Sequence, residues 1–561
     1  MVRKHSKKWE AFLRFTIALV GLVLINLLGN RYFFRLDLTE EKRYSITDAT
    51  KDLLENLDDE VFVEVYLDGD LPSGFVRLKN VIRETLDEFQ AYGKRNVRYE
   101  FIDPSLASGT KARNEFYKSL MDKGLQPTNL FDRENGKRTE KLVFPGAIIS
   151  YGGKESVVML LKGNQGAGPG ERLNQSVEGV EYELASAIRK LSDTNRKKIA
   201  LLQGHDELFG PDLAALTNAL LEFYDVFEVN LSEKENLMGY DAFITAKPRK
   251  GFDEQDKFKL DQFIMNNGKA VFLLNSLRVN MDSAGNEGTY ALPYDLNLDD
   301  QLFKYGVRIN RDYIQDLNSG AFPIVTGNFG EEPQIRLWPW PFFPIMNKFG
   351  NHPVVKNLDA VYGKFVSSID TVKAVGVKKT PLIFTSQYSR KLEMPVRVSF
   401  NDLRKDVFPE NFQSGPFPIA YLLEGNFTSL YKNRFLPEGV KTEGFREEGS
   451  SKVLVVSDGD LVRNDVNPKT EEPYPLGYDP YLKANFANQD FILNAMSYIL
   501  EDQGLITARA KEIKIRPLDK VKVGDEKVKW QLINLILPVF LLLIFGVVRH
   551  YLRKRQYGRY N

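Results

Sequence analysis

Two apolar segments, residues 12–29 and 532–548, close off the ends of this chain, each with a basic cluster on its terminal side. What lies between them is mostly polar, so the chain reads as a large globular body tied to a bilayer by both ends. A hydrocarbon core about 30 Å thick needs roughly 20 helical residues, and both segments fall at the short end of the workable range. The second holds no charge; Asn534 and Pro538 are its awkward residues, and a membrane helix tolerates such a proline where local adjustment satisfies the freed carbonyl. In the first, Arg14 stands close enough to the start for its side chain to reach the headgroups, and Asn26 is polar but uncharged.

Charge sets the expected orientation. Arg3, Lys4, Lys7 and Lys8 precede the first segment, opposed by Glu10, whereas Arg549, Arg553, Lys554, Arg555 and Arg559 follow the second with no acid among them. Just after the first segment the signs mix, as in Asp37, Glu40, Glu41, Lys42 and Arg43. By the positive-inside rule both termini are cytoplasmic and the body is translocated. A cleaved signal peptide also begins basic and apolar. No small-residue cleavage pattern follows here, and Asn30, Arg31, Tyr32, Phe33, Phe34 and Arg35 are mostly bulky or charged, which favours an uncleaved anchor.

The body is long enough for roughly three domains at about 150 residues each. Lys and Arg number 76 against 75 Asp and Glu, so no global charge draws the chain to nucleic acid. With no cysteine there is no disulfide, no thiolate metal site and no cysteine nucleophile. Of the four histidines, His5 and His550 lie in the terminal tails, leaving His205 and His352 for the body, which argues against a multi-histidine metal site.

Periodicity predicts the order of elements. Thr47 opens a helix with Leu53, Leu54 and Leu57 at helical spacing, and residues 61–67 are β-branched and aromatic enough for a strand. A helix to about Tyr92, a strand at 97–102, a helix near 111–123, strands at 141–151 and 156–162 and a helix at 179–191 complete a β-α-β-α-β-β-α order. That is the order of a thioredoxin-like domain, here without the dithiol that would give it redox chemistry. The glycine-rich run 162–170 lacks the Gly-Lys-Ser/Thr ending of a phosphate loop and is followed by a polar turn at 171–176, so it reads as a surface loop. Strands at 199–202, 226–229, 241–246 and 270–274 alternate with helices at 211–223 and 253–266, which implies a parallel, Rossmann-like sheet. Residues 280–450 break this rhythm. They include Leu337, Trp338, Pro339, Trp340, Pro341, Phe342, Phe343 and Pro344, whose prolines argue against a strand or helix. The α/β pattern returns with a strand at 453–456 and a helix at 488–500.

The expected fold class is therefore α/β. Two terminal transmembrane helices (12–29 and 532–548) enclose a thioredoxin-like domain without cysteines (37–192) and a Rossmann-like parallel-sheet domain in two parts (196–279 and 451–510) around a large insertion (280–450). Basic tails (1–11 and 549–561) and a linker (511–530) complete the chain.

Ligands of an open parallel sheet collect at the carboxyl ends of its strands. Gly204, His205, Asp206 and Glu207 fall at one such end, and Ser457, Asp458, Gly459 and Asp460 at another. A chemical reading joins His205, Asp206, Glu207, Asp458 and Asp460 into a metal or acid–base site of a membrane-tethered hydrolase. The plainer reading has the acids capping helices and His205 satisfying backbone groups. Likewise Trp338, Trp340, Phe342 and Phe343 form either a glycan, peptide or adhesion platform or a loop tucked under the insertion.

Gln203-Gly204-His205-Asp206-Glu207 after a strand resembles the Gly-His-Gly-Glu turn of the ABC-transport auxiliary domain. Tyr240 to Ile244, Asp261 to Lys269, Leu296 to Asp300, Lys304 to Val307, His352 to Asp359, Phe365 to Asp370 and Asn488 to Ala495 resemble further stretches of that family. With the two anchors, the chain is similar to the GldG family, the gliding-motility-associated ABC transporter components of Bacteroidetes. Asp206 departs from the family's glycine. The resemblance implies a non-enzymatic, two-pass inner-membrane subunit with a large periplasmic body that binds substrate or couples conformational change. It also implies a permease subunit and a cytoplasmic ATPase subunit as partners, alongside the lipid bilayer. It implies no cofactor, metal or catalytic residue, and leaves a homo-oligomer open.

Overall fold

The protein is described here from a computed structural model covering residues 7–31, 45–106, 109–134, 137–161, 168–193, 195–285, 288–329, 332–404, 408–441, 443–500, 504–510 and 520–557. The outermost tail residues, most of the glycine-rich run (162–167) and the first half of the expected linker (511–519) lie outside the described residues. The chain divides into two compact units, Met1–Lys511 and Glu512–Asn561.

Helix α1 (Lys7–Arg31) begins the first unit, and its apolar stretch is Phe12–Leu24. Helix α2 (Asp48–Glu55) starts where Thr47 accepts a hydrogen bond from the Thr50 backbone N–H, the capping chemistry its hydroxyl suits. There follow β1 (Val61–Val65), α3 (Ser73–Gly93), β2 (Val97–Phe101), α4 (Thr110–Asp122), β3 (Thr128–Glu134), β4 (Lys137–Val143), β5 (Gly146–Tyr151), β6 (Lys154–Met159) and α5 (Pro169–Ser192). The first sheet has the order β2-β1-β5-β6, with β1 parallel to β2 and antiparallel to β5, and β5 antiparallel to β6.

Two expectations change here. The run 141–151 is not one strand: β4 pairs with β3 as a separate hairpin, and the chain breaks at Phe144-Pro145 before β5. The polar stretch 171–176 is helical, because Pro169 occupies the first helical turn and α5 buries Val177, Val180, Leu184 and Ile188 at 3–4 residue spacing.

The second sheet starts with β7 (Lys198–Gln203), followed by α6 (Ala214–Leu221), β8 (Asp225–Asn230), β9 (Ala242–Ala246), α7 (Glu254–Met265), β10 (Lys269–Leu273) and α8 (Asp299–Tyr305). The segment after α8 supplies β11 (Ser319–Phe329), β12 (Glu332–Met346), β13 (Lys348–Phe349), β14 (Val361–Tyr362), β15 (Val377–Phe384) and β16 (Pro418–Thr428). Then come β17 (Glu448–Val456) and α9 (Asn488–Leu500). The eight strands lie in the order β13-β15-β16-β17-β10-β9-β7-β8. From β17 to β8 every neighbour is parallel, whereas β16, β15 and β13 add on antiparallel. The sheet is thus mixed rather than purely parallel. The segment expected as an insertion is partly built into it, since three of its strands extend the sheet beyond β17.

Side chains alternate across this sheet. Ile199, Leu201, Ile244, Val271 and Leu454 join one buried cluster with α6 and α9, while Ala200, Leu202, Phe243, Phe272 and Val455 join a second with residues of α7 and α8. With both faces covered, every residue of β9 is buried, as a strand in the middle of a two-sided layer requires. Truncating one of these leucines to alanine costs about 2–5 kcal/mol.

The proline-rich run is also a strand, against expectation. β12 pairs with β11 in a long antiparallel ribbon and then briefly with β14 through Ile345 and Met346. Pro339 and Pro341 are two apart, so their missing N–H groups fall on one edge of the strand.

In the second unit, α10 (Lys520–Tyr557) makes the later part of the expected linker helical. Its stretch Gly524–Arg555 is long and apolar enough to cross a membrane, and the apolar side chains of that stretch are exposed around the helix, as a lipid-facing span demands.

Candidate functional site

The strand order reverses at β7, which has β8 on one side and β9 on the other, and in such folds the crevice between the reversing strands takes the ligand. Here it is laced shut by backbone. The Arg249 and Lys250 N–H groups both donate to the His205 carbonyl at 2.9 Å, and the Leu208 N–H donates to the Ala246 carbonyl at 2.9 Å. Gly204 makes the turn possible: its φ is +120°, and a β-carbon there would lie 2.8 Å from Asn230 Oδ1.

His205 is buried and stacked on Phe252, with ring centroids 3.7 Å apart. Its Nε2 lies 3.2 Å from Asp256 Oδ2 and its Nδ1 lies 3.5 Å from Glu207 Oε1. Glu207 Oε2 also accepts from the His205 backbone N–H at 2.7 Å, and Lys259 reaches the other oxygen of Asp256 at 2.7 Å. Burial opposes the imidazolium, yet the two carboxylates outweigh it and push the His205 pKa up to about 9. Burial likewise works against ionised Asp256, but hydrogen bonds from His205 and Lys259 hold its pKa below the ordinary range. The result is a buried imidazolium clamped between two carboxylates. Asp206 takes no part: its backbone is left-handed (φ +59°) and its exposed carboxylate stands 3.9 Å from Arg249.

Asp458 and Asp460 form a separate cluster at the end of β17. Asp458 is buried, accepting from the Lys364 N–H at 2.9 Å and from the Asp460 N–H at 2.8 Å. Burial and the nearby Asp460 carboxylate push its pKa up. Asp460 is ion-paired with Lys247, which follows β9. Gly459 lies so close to this lysine that a β-carbon would meet Lys247 Cβ at 2.5 Å, and its N–H donates to Asn275 Oδ1 at 2.9 Å.

The five polar candidates thus fall into two clusters and one bystander. His205 meets Glu207 and Asp256; Asp458 and Asp460 meet Lys247 and Lys364. Sequence reasoning missed Asp256, Lys259 and Lys247. Asp256 and Lys259 have the spacing of an ordinary helix first turn, and only the approach of the β7 loop gives them a partner. Among the described residues, no group of three His, Asp or Glu side chains has an arrangement that could hold a metal ion.

The aromatic candidates are mostly interior. Trp340, Phe342 and Phe343 are buried in one cluster with Tyr313, Tyr362 and Phe365, and only Trp338 is half-exposed, beneath Arg336. Three of the four rings therefore cannot form an open platform. A ligand-sized cleft of about 860 Å³ lies by Lys197, Asp241 and Lys269, where β7, β9 and β10 begin, and Lys259, the partner of Asp256, is part of its lining.

A mixed α/β body with, among the described residues, one helix fit to cross a bilayer defines the general class: a membrane-associated protein with a closed, ion-paired strand edge. The model of an ABC-type uncharacterized transport system matches residues 196–495, more than half of the chain, and the chain belongs to that family. Its role is thereby auxiliary to ABC transport, in association with an ABC transporter system. A domain of unknown function matches residues 40–150. An uncharacterized protein of Borreliella burgdorferi is 22% identical over 569 residues, covering 99% of each chain. Among solved structures, the mmIFT52 N-terminal domain aligns at 13% identity and a TM-score of 0.30, covering 54% of this chain and 97% of that one.

Proposed function

We propose that this chain is a non-enzymatic coupling subunit of an ABC complex. In this reading α1 and α10 are both anchors, both termini are cytoplasmic, and the body, with its thioredoxin-like first sheet, is periplasmic. A permease and a cytoplasmic ATPase are the partners, and gliding motility is the process served.

The observation that carries this reading is where the chain enters and leaves the body. Near the first exit, the Thr47 N–H and the Thr50 hydroxyl both donate to Glu181 Oε1 of α5, at 2.6 and 2.9 Å. Near the other exit, the turn Leu505–Ala510 buries Leu505, Ile506 and Ala508, and Arg509 lies over the ring of Tyr182, 5.0 Å from its centroid. Both connections toward the membrane thus end on neighbouring residues of one helix. The same helix reaches the second sheet domain, where Asn357 donates to Glu178 at 2.8 Å. A displacement of either anchor would load α5 and, through it, both sheets. That suits a coupler better than a freely diffusing receptor.

The direct test is purification of the complex from mild detergent. Recovery of this chain with an ABC permease and ATPase is expected; recovery of the chain alone would sink the proposal. Glu181→Ala with Arg509→Ala should leave the complex assembled but lower transport-coupled ATPase turnover. Deletion of the gene should abolish surface spreading if gliding is the process.

A further inference from the structure

Between β16 and β17 the chain folds back along α7 and walls one side of the 860 Å³ cleft, while the loop between β8 and β9 walls the other. Two glutamines of α7 pin the returning chain. Gln255 donates to the Glu438 carbonyl at 2.8 Å. Gln262, two turns on, donates to the Arg446 carbonyl at 3.0 Å and accepts from the Arg446 N–H at 2.8 Å. Just inside these pins stand Gly439 and Gly444, with φ of +81° and +82°. A glycine at each end lets the short segment between them swing without strain. Outside the glycines, Leu436 and Phe445 lean on buried Phe258 and Tyr431, with the Phe445 and Phe258 rings stacked 6.1 Å apart. Inside them, Val440 makes a partly buried contact with the same cluster, and Lys441 reaches across the cleft to pair with Glu235 of the facing loop. That pair is mostly in water, its side chains 73% and 56% exposed.

We propose that Gly439, Val440, Lys441, Glu443 and Gly444 belong to a flap that the Lys441–Glu235 latch holds closed over the cleft and that opens when this ion pair breaks. An ion pair so exposed contributes little in water, so the closed form lies only a little below the open one. Salt weakens the latch further, because the Debye length falls from about 10 Å at 0.1 M to about 3 Å at 1 M. Opening breaks one surface pair and lifts Val440, whereas the pins at Glu438 and Arg446 stay in place. The space behind the flap falls within the range of small-molecule sites, about 300–1,000 Å³, so the latch governs when that space is reached. The flap is separate from the coupling role, and its failure would leave that role standing.

Because the chain has no cysteine, a pair of spin labels can be placed cleanly. Met238→Cys on the facing loop and Glu443→Cys on the flap are both exposed positions outside the latch. They would be labelled in the detergent-solubilised full chain, and the distance between them read by pulsed electron paramagnetic resonance. A short and a long distance are expected, with the long population rising about three-fold between about 0.1 and 1 M salt, the factor that an exposed pair commands. Lys441→Glu should raise the long population by a similar factor at low salt. Adding Glu235→Lys should restore the parent distribution, which general loosening of the loop would not do. A single distance, unmoved by salt and by Lys441→Glu, would overturn the proposal. So would a long population that Glu235→Lys fails to reduce, since the ion pair would then not be what holds the flap.

Discussion

The strand-end edge of the second sheet and the outer face of the β11–β12 ribbon are opposites. The first is polar and closed: at its two carboxylate clusters, charged side chains find partners within the protein, as His205 does with Asp256 and Lys247 with Asp460. The second is apolar and open, with Val325, Ile335 and Leu337 facing outward. Partnered charge marks where the molecule holds itself together. Within the closed edge there is a further contrast. The β7 cluster keeps its charges and pairs them, whereas burial pushes Asp458 toward its neutral form.

Experiments can break or sharpen this contrast. The largest effect is expected for Asp256→Ala, which leaves buried His205 and half-buried Lys259 without their shared carboxylate. A loss of about 3 kcal/mol should appear in chemical denaturation of the detergent-solubilised chain. A loss below about 0.5 kcal/mol would mean that the cluster is not a structural lock.

Next comes pH. The folded pKa of His205 lies near 9, above its ordinary value of 6.5, so its stabilising contribution is complete below about 6.5 and lost as pH rises through 9. About 2 kcal/mol should disappear over that window after allowance for screening, and His205→Gln should flatten the curve. Asp458 acts over a lower range. Its folded pKa is raised, so the unfolded chain gives up the proton first, and stability falls as pH climbs above the ordinary carboxylate value. Asp458→Asn should remove that slope. An unchanged slope would assign the decline to another group.

The smallest stability change, within about 0.5 kcal/mol, is expected for Ile335→Asp with Leu337→Asp. A large loss in the melt would show that this face is packed rather than free.

Much of the layout was legible because it depends on local physics. The β-α-β order follows from hydrophobic period, and Thr47 and Asp253 each cap a helix, with Asp253 accepting from the Asp256 N–H at 2.7 Å. Proline-rich β12 was misread because the rule against proline in strands concerns donors, and which edge loses its donors depends on the pairing with β11. How the candidate site residues group depends on long-range geometry in the same way. His205, Asp458 and Asp460 all sit at strand ends, but the sheet order puts β9 and β10 between β7 and β17.

What the amino-acid order settled alone was the strand–helix alternation from β7 to β10, the apolar C-terminal span and the absence of thiol chemistry, since each follows from residue type or short-range periodicity. Tertiary structure decided which charges meet and which face stays bare. It set Asp256, not Asp458, against His205, and it turned one side of the β11–β12 ribbon outward. Charge pairing and burial depend on separations through space, and those exist only once distant stretches of chain have packed together.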